Sequence, residues 1–311
     1  MVLRINPSRI ALWRSPNDLQ LGTGSGALQL RGLTPGQERL LKLLYRGAPE
    51  SYLHETASSS TEVTELLNQL EPVMLARALE PTSLSAEFIE ARFAEICRAQ
   101  SSYGADGAVV LQARQNAKVF ISDCGQTTVQ IAKALEASAV ATLVTDGDEI
   151  DGATSRVLKL DHLTNHQVDQ IDFAILISHN AVSPAVYRNW LGRSIAHISV
   201  VFDSDGVSVS PVIEASKTPC LSCFHEVESK RDSRWPAIAS QLLFSEQRFD
   251  DSSSQLFAAA LACQRALQFV DALSSFEASE IHKTGYRLST ATSRITEFTW
   301  NFDEACSCAI G

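Results

Sequence analysis

Two short cysteine spacings offer metal chemistry: Cys220-Leu221-Ser222-Cys223 and, near the C-terminus, Cys306-Ser307-Cys308. Each spacing lets two thiolates converge on one ion, and two such pairs supply the four soft donors of a tetrahedral, all-cysteine zinc site. A bound ion would deprotonate all four thiols and contribute on the order of 10 kcal/mol to folding, as in zinc-finger peptides. The alternatives are four unrelated thiols or a redox CxxC pair. A redox pair opens a helix at a strand end, a context that Thr218-Pro219 does not suggest, and it leaves the terminal Cys-x-Cys unexplained. The expectation is a structural zinc on Cys220, Cys223, Cys306 and Cys308, with His225 as a substitute ligand just past the first pair. Cys97, Cys124 and Cys263 are left over, and Cys97 and Cys263 sit on apolar helical faces that suit a core.

A second constellation runs from Lys118 to Asp148. KVFISDCG reads as an apolar strand ending in glycine, TTVQIAKALEAS as a helix, and VATLVTDGDEID as a strand with acids at its end. Strand, glycine turn, helix, strand and acid is the order of a dinucleotide or ATP cradle. Its glycines let backbone N–H groups approach phosphate at a helix N-terminus. Only Gly125 remains here, with Asp123 and Thr128 where the first and third glycines belong. Asp123 would repel phosphate, whereas Thr127 and Thr128 can donate hydrogen bonds. Asp146 or Asp148 either holds a ribose or is merely solvated.

Other polar residues give less. His162 and His166 are four apart without a third ligand and read as solvated. His179, His197 and His282 lie in separate segments with no ligand spacing. Lys230, Arg231 and Arg234, beside Asp232 and Trp235, read as a solvated helix end or a contact for an acidic partner. No GxSxG, HExxH or paired-carboxylate pattern occurs.

The elements that must position these groups fall into three stretches. Residues 1–80 read as a small winged-helix-like α+β module. VLRI, LQLG and ALQLRG are strand-like, and Thr34-Pro35-Gly36-Gln37 opens a helix with a capping box and proline in its first turn. Leu40, Leu41, Leu43 and Leu44 form that helix's apolar face and Gly47 ends it. Ser58–Thr61 caps a second helix carrying Val63, Leu66, Leu67 and Leu70, which Pro72 stops. Residues 81–115 read as a helical connector. Residues 116–311 alternate strand and helix, which predicts an α/β domain with a mostly parallel, Rossmann-like sheet. FAILISHN and IAHISVVFD are further strands separated by the helix PAVYRNWLG, and HKTGYRLSTATSRITEFTW reads as two late strands. The apolar helix Phe257–Leu273 is a core helix or a dimer interface.

The 311-residue chain has a formal net charge of −10, and residues 1–80 carry eight Lys/Arg against eight Asp/Glu. Neither the whole chain nor the module shows the basic footprint of nucleic-acid binding. No apolar run reaches the roughly 18 residues of a membrane span, and MVLRINPSRIALWRSP does not resemble a signal peptide. A cytoplasmic location is expected, where seven cysteines suit metal or free thiols better than disulfides.

A Rossmann-like unit, then TPCLSC, a helix and a terminal Cys-x-Cys resembles the ThiF/MoeB superfamily, the ubiquitin-activating-enzyme-like adenylyltransferases. LWRSPNDLQLG and TPCLSCFHEVESKRDSRWPAIASQL look more closely like actinobacterial ThiF-type proteins linked to ribosomal peptide biosynthesis, partners of azole-forming cyclodehydratases. The resemblance covers most of the chain and is most specific from Thr218 to Leu242. It implies a zinc knuckle on the four named cysteines, a homodimer, and ATP-Mg binding that adenylates a carboxylate. It also implies a magnesium-binding aspartate where His179 stands, followed by Asn180, and an arginine approximated by Arg156. No phosphate lysine is evident. The lost glycines and His179 put ATP-Mg chemistry in doubt. The expected function is therefore a degenerate ThiF-like scaffold that binds a precursor (leader) peptide by strand addition to the N-terminal module and presents it to a cyclodehydratase-type partner enzyme. The alternatives are an ATP-dependent adenylyltransferase acting on a peptide or small-protein carboxylate, and a module that only docks.

Overall fold

The computed structural model describes residues 2–24, 26–75, 83–103, 107–274 and 283–304, with Cys306 and Cys308. His282 lies outside them. The chain divides into two compact units, Met1–Gln112 and Ala113–Gly311.

The first unit begins with β1 (Val2–Leu3), then β2 (Ala11–Ser15), β3 (Asp18–Leu21) and β4 (Leu28–Leu30). The last three form an antiparallel sheet in the order β2-β3-β4. Helix α1 (Pro35–Arg46) starts as the sequence dictates: Thr34 accepts from the Gln37 N–H, and the Gln37 side chain answers on the Thr34 N–H. Gly47 closes it at φ 86°, a left-handed conformation that suits glycine. β5 (Ala48–Pro49) pairs with β1, and α2 (Glu50–Thr56) and α3 (Ser60–Leu70) follow. Leu40, Leu44, Leu53, Leu66 and Leu70 from the three helices share one core with Leu19, Leu21 and Leu30 of the sheet. Helix α2 had no counterpart in the sequence reading, because its 7 residues give too short a periodic stripe.

Residues expected as one helical connector form α4 (Ala86–Ala91) and α5 (Phe93–Tyr103), broken at Arg92, and α6 (Gly107–Asn116) follows. The buried Asn6 side chain donates to the Cys97 carbonyl at 3.0 Å, which ties α5 to the N-terminal strands. Cys97 is buried, as expected of a core thiol.

The second unit contains β6 (Lys118–Ile121), α7 (Gln126–Ala137), β7 (Thr142–Thr145), β8 (Arg156–Lys159), α8 (Asn165–Val168), β9 (Phe173–His179), α9 (Pro184–Gly192), β10 (Ala196–Asp203) and β11 (Gly206–Val209). It continues with α10 (Leu221–Arg231), α11 (Trp235–Leu243), α12 (Ser252–Ser274), β12 (Thr284–Ser289) and β13 (Arg294–Thr299). These strands make one eight-stranded sheet in the order β13-β12-β11-β10-β9-β6-β7-β8. The run from β8 to β10 is parallel, and β11 to β13 are antiparallel. Within the parallel part the chain order is 3-2-1-4-5, the doubly wound arrangement.

α7 and α12 cover one face, where Ile131, Leu135, Ala258, Ala262 and Ala266 meet Val119, Ile175 and Ile198 of the strands. α9 and the base of α10 cover the other, where Tyr187, Trp190 and Cys223 meet Phe120, Val144 and Leu176. Phe257, Leu261, Leu267 and Phe269 of the apolar stretch expected to be a core or interface helix pack against this core. Arg114 and Asp271 are 3% and 1% exposed and form a two-pronged pair, Nε to Oδ1 at 2.7 Å and Nη2 to Oδ2 at 2.6 Å. Removing one partner strands a buried charge. Arg114→Ala is expected to lower unfolding free energy by about 3–5 kcal/mol, read as a fall in the urea midpoint, whereas a double change to apolar residues of like volume costs far less.

Candidate functional site at the strand switch point

Helices leave opposite faces of the sheet after β6 and after β9, so a crevice opens at the carboxyl ends of these neighbouring strands. The loop after β6 is Ser122–Gly125, and the residues ending and following β9 are His179 and Asn180. Gly125 sits at φ 57° and a Cβ there would meet nothing within 4 Å, so backbone conformation and not crowding calls for glycine.

Side chains from the loop, from α7 and from the end of β7 take up the N–H groups of Asp123, Cys124 and Gly125. Asp146 Oδ1 accepts from the Asp123 N–H at 2.6 Å, and Asp123 Oδ1 from the Gly125 N–H at 3.1 Å. Thr128 Oγ1 accepts from the Cys124 N–H at 2.7 Å and donates to the Ser122 carbonyl at 2.8 Å. Thr127 donates to Asp250 at 3.4 Å. Both threonines are buried. The two threonine hydroxyls and Asp146, assigned in the sequence to phosphate and ribose, are therefore placed as struts of the loop. Asp148 is exposed and pairs with Lys159 at 2.8 Å. Arg156 is exposed at the start of β8, away from the loop's hydrogen bonds. Asn180, at φ 64°, donates to the Gln247 carbonyl at 3.4 Å.

Sequence spacing missed one group that the switch point assembles. Cys124 Sγ lies 3.4 Å from His179 Nε2, and Asp250 Oδ1 lies 3.6 Å from the same nitrogen. Burial holds the Cys124 thiol above its ordinary pKa and His179 below its own. The pair is thus a neutral thiol and a neutral imidazole at pH 7 and not an ion pair. Arg248 reaches both, 3.3 Å from His179 Nε2 and 3.7 Å from the sulfur. The detectable signal was topological: the loops after the first and fourth strands of this sheet order always meet. Asp250, in the segment before α12, had none. His197 is a core residue. Its Nδ1 lies 2.9 Å from the Ile195 carbonyl, and burial pushes its pKa down to about 4.

The four expected metal cysteines do come together. Cys220 Sγ is 3.6 Å from Cys306 Sγ and Cys223 Sγ is 3.2 Å from Cys308 Sγ, and all four sulfurs lie within 4.8 Å of one another. Four ligands at 2.3 Å from a tetrahedral ion would sit about 3.8 Å apart. A buried cluster of this size and donor type fits an ion such as zinc. Contrary to the sequence reading, the CxxC does open a helix: Cys220 is the N-cap of α10. The first pair nevertheless faces the terminal pair, as a metal site requires and a redox pair does not. His225 takes no part and accepts instead from Trp235 Nε1 at 3.1 Å. Of the basic cluster, Lys230 pairs with the buried Asp303, whose carbonyl accepts from the Cys306 N–H.

A cavity of about 590 Å³ lies beside this cluster, walled by Phe224, His225 and Trp235 on one side and Phe298 and Trp300 on the other, with Asn180 and Asp203 at its rim. A shallower cleft of about 450 Å³ shares Asp203 and is lined by Arg248, Phe249 and Asp250. The switch-point residues stand between the two.

No known family profile matches the sequence, and neither does any curated protein. Solved structures do match. Escherichia coli MccB in complex with ATP superposes with a TM-score of 0.68 at 15% identity, over 99% of this chain and 100% of that one. The chain has the fold of MccB. The MccB complex with AMPCPP and MccA gives a TM-score of 0.69 at 13% identity, over 99% of both chains. The heterocyclase TruD gives 0.70 at 13% identity, over 99% of this chain but 42% of TruD. The Rossmann-like α/β architecture with a four-cysteine cluster that the sequence suggested is therefore the one observed. At these identities the likeness is one of fold.

The geometry of the four cysteines predicts one tightly held zinc per chain at this cluster. Cys223→Ser should abolish it in elemental analysis and lower the melting temperature by roughly ten degrees or more, the loss of several kcal/mol of metal-linked stability. Unchanged zinc content would refute the assignment.

Proposed function

We propose that this chain is a peptide-binding scaffold of ribosomal peptide biosynthesis, whose N-terminal unit takes a precursor (leader) peptide and presents it to a partner modifying enzyme of the cyclodehydratase type. The observation that carries the reading is the edge of the β2-β3-β4 sheet. Among the described residues β2 pairs with β3 on one side only. Together with the residue before it, β2 presents three large apolar side chains to solvent: Ile10 (60% exposed), Leu12 (39%) and Trp13 (51%). An open strand edge with exposed apolar residues is a liability unless something pairs with it. A peptide strand added there gains main-chain hydrogen bonds from the edge and side-chain contacts from the apolar residues.

The register makes the surface specific. Trp13 pairs with Leu19 and Ala11 with Leu21, so Trp13 shares the face of the buried leucines yet stands half outside their core. It forms an apolar shelf beside the open edge, where a rigid aromatic anchor binds well. The fold neighbours agree in kind. MccB has been solved with its peptide N-formylated MccA, and TruD is a heterocyclase.

The same reading assigns no adenylation to the switch-point loop. Asp123 and Asp146 already accept the N–H groups of Asp123 and Gly125, and their negative charges oppose a phosphate there. Zinc at the four-cysteine cluster is taken as structural, and a homodimer is part of the proposal.

Fluorescence polarisation with labelled precursor peptides from the neighbouring genes tests the reading. Trp13→Ala is expected to weaken binding about tenfold, or ~1.4 kcal/mol, with the protein still cooperatively folded and the melting temperature only slightly lowered, because the side chain is half exposed. Equal affinity for wild type and variant would count decisively against the edge as the site. In a parallel titration, ATP-Mg should give no micromolar binding. A clear micromolar isotherm would mean that the loop carboxylates can be displaced and would restore the adenylyltransferase reading.

A further inference from the structure

We propose that Cys124, His179 and Asp250 form a second metal site, for a zinc-type divalent ion, with an open fourth position. The three donor atoms lie within 4.8 Å of one another. With ligand distances of about 2.3 Å to sulfur and 2.0–2.2 Å to nitrogen and oxygen, a tetrahedral ion would set sulfur and nitrogen about 3.6 Å apart and nitrogen and oxygen about 3.4 Å apart. The observed edges are 3.4 Å and 3.6 Å.

The arrangement is convergent and not a relay. In a nucleophile–histidine–carboxylate triad the acid holds one ring nitrogen while the other faces the nucleophile. Here Cys124 Sγ and Asp250 Oδ1 both face Nε2, and Nδ1 faces the Phe249 backbone N–H at 3.4 Å. Three different donors turned toward one point suit an ion at that point. Thiolate and imidazole select zinc or cobalt over magnesium or calcium, which take oxygen ligands.

Arg248 is the cation the cluster already attracts. Its guanidinium approaches both His179 Nε2 and Cys124 Sγ from the exposed side. An entering ion must displace it and take the Nε2 lone pair that now accepts from Arg248 Nε, with the ring proton on Nδ1, which opens the long contact from Phe249. Three protein ligands leave one coordination position. The cleft of about 450 Å³ is lined by Asp250 of the cluster and by Arg248 and Phe249, which touch His179, so with Arg248 displaced a water or an anionic group has a path to that position. This is the pattern of a reactive zinc site and not of a closed structural one.

The test is metal stoichiometry and affinity on the full chain, with zinc for elemental analysis and cobalt(II) as the spectroscopic probe. Wild type is expected to hold two equivalents, one lost in Cys220→Ser and the other in Cys124→Ser or His179→Ala. Asp250→Asn, a milder change that spares the buried core, should weaken the switch-point ion at least tenfold and leave the ion at the four cysteines in place. Arg248→Ala should tighten the switch-point ion several-fold by removing its competitor, an effect that a merely structural arginine would not produce. A wild type that saturates with every ion lost in Cys220→Ser overturns the proposal. So do a Cys124→Ser variant that keeps both ions and an Asp250→Asn variant with unchanged affinity.

Discussion

Parallel pairing of β6 with β9, from Val119 opposite Phe173 to Ile121 opposite Ile175, governs the chemistry available to the second unit. After β6 the chain turns into α7 on one face of the sheet, and after β9 into α9 on the other. The two loops therefore separate above a shared strand end and leave a crevice that neither helix fills. Ser122 adds to the seam: its hydroxyl accepts from the Ile177 N–H at 2.6 Å, bridging the loop to the neighbouring strand. Cys124, His179, Asn180 and Asp250 are all held relative to that seam.

In a dinucleotide cradle the N–H groups after the first strand point at phosphate because nothing else satisfies them. Here Asp123, Asp146 and Thr128 satisfy those of Asp123, Cys124 and Gly125, while no side chain caps the start of α7. The substitution of two glycines is thus more than a loss of space. Gly147 shows the same closure, since a Cβ there would come 2.9 Å from the Asp123 carboxylate. The loop is braced from α7 and from the end of β7. Gly125 caps α7 without a side-chain hydrogen bond, so no side chain closes the start of that helix, and the sulfur of Cys124 lies 3.4 Å from His179 Nε2.

How much of this was legible depended on sequence distance. The four-cysteine cluster was readable because each pair is local and chelation needs no tertiary guess. Helix α1 was readable because its capping box and closing glycine are fixed at three-residue and one-turn offsets. Four of the five parallel strands, β6, β7, β9 and β10, are legible as Val- and Ile-containing apolar runs. β2 was not recognised as a strand because its exposed side chains do not alternate with buried ones, and β8 was passed over as polar for the same reason. The α10 start at Cys220 was missed because a metal-facing cysteine is not one of the usual capping residues. Cys124 and His179 were each read, one as a leftover thiol and the other as a failed magnesium ligand. Only the sheet order places them side by side.

The four-cysteine cluster and the aromatic cavity belong to one mechanical arrangement. Cys220 and Cys223 sit at the root of α10, the element that supplies Phe224 and His225 to one wall. Cys306 and Cys308 follow β13 and Trp300, which supply the other wall. Phe224 stacks on Trp300 with ring centroids 5.4 Å apart, so the two walls touch there. Buried neutral thiols hold such walls weakly, because a thiol is a poor hydrogen-bond donor and acceptor. An ion bound to all four would fix both walls through a single centre. The spacing of the cavity is then set by the metal and not by the aromatic contacts alone, which gives a structural ion a direct bearing on what the cavity can hold.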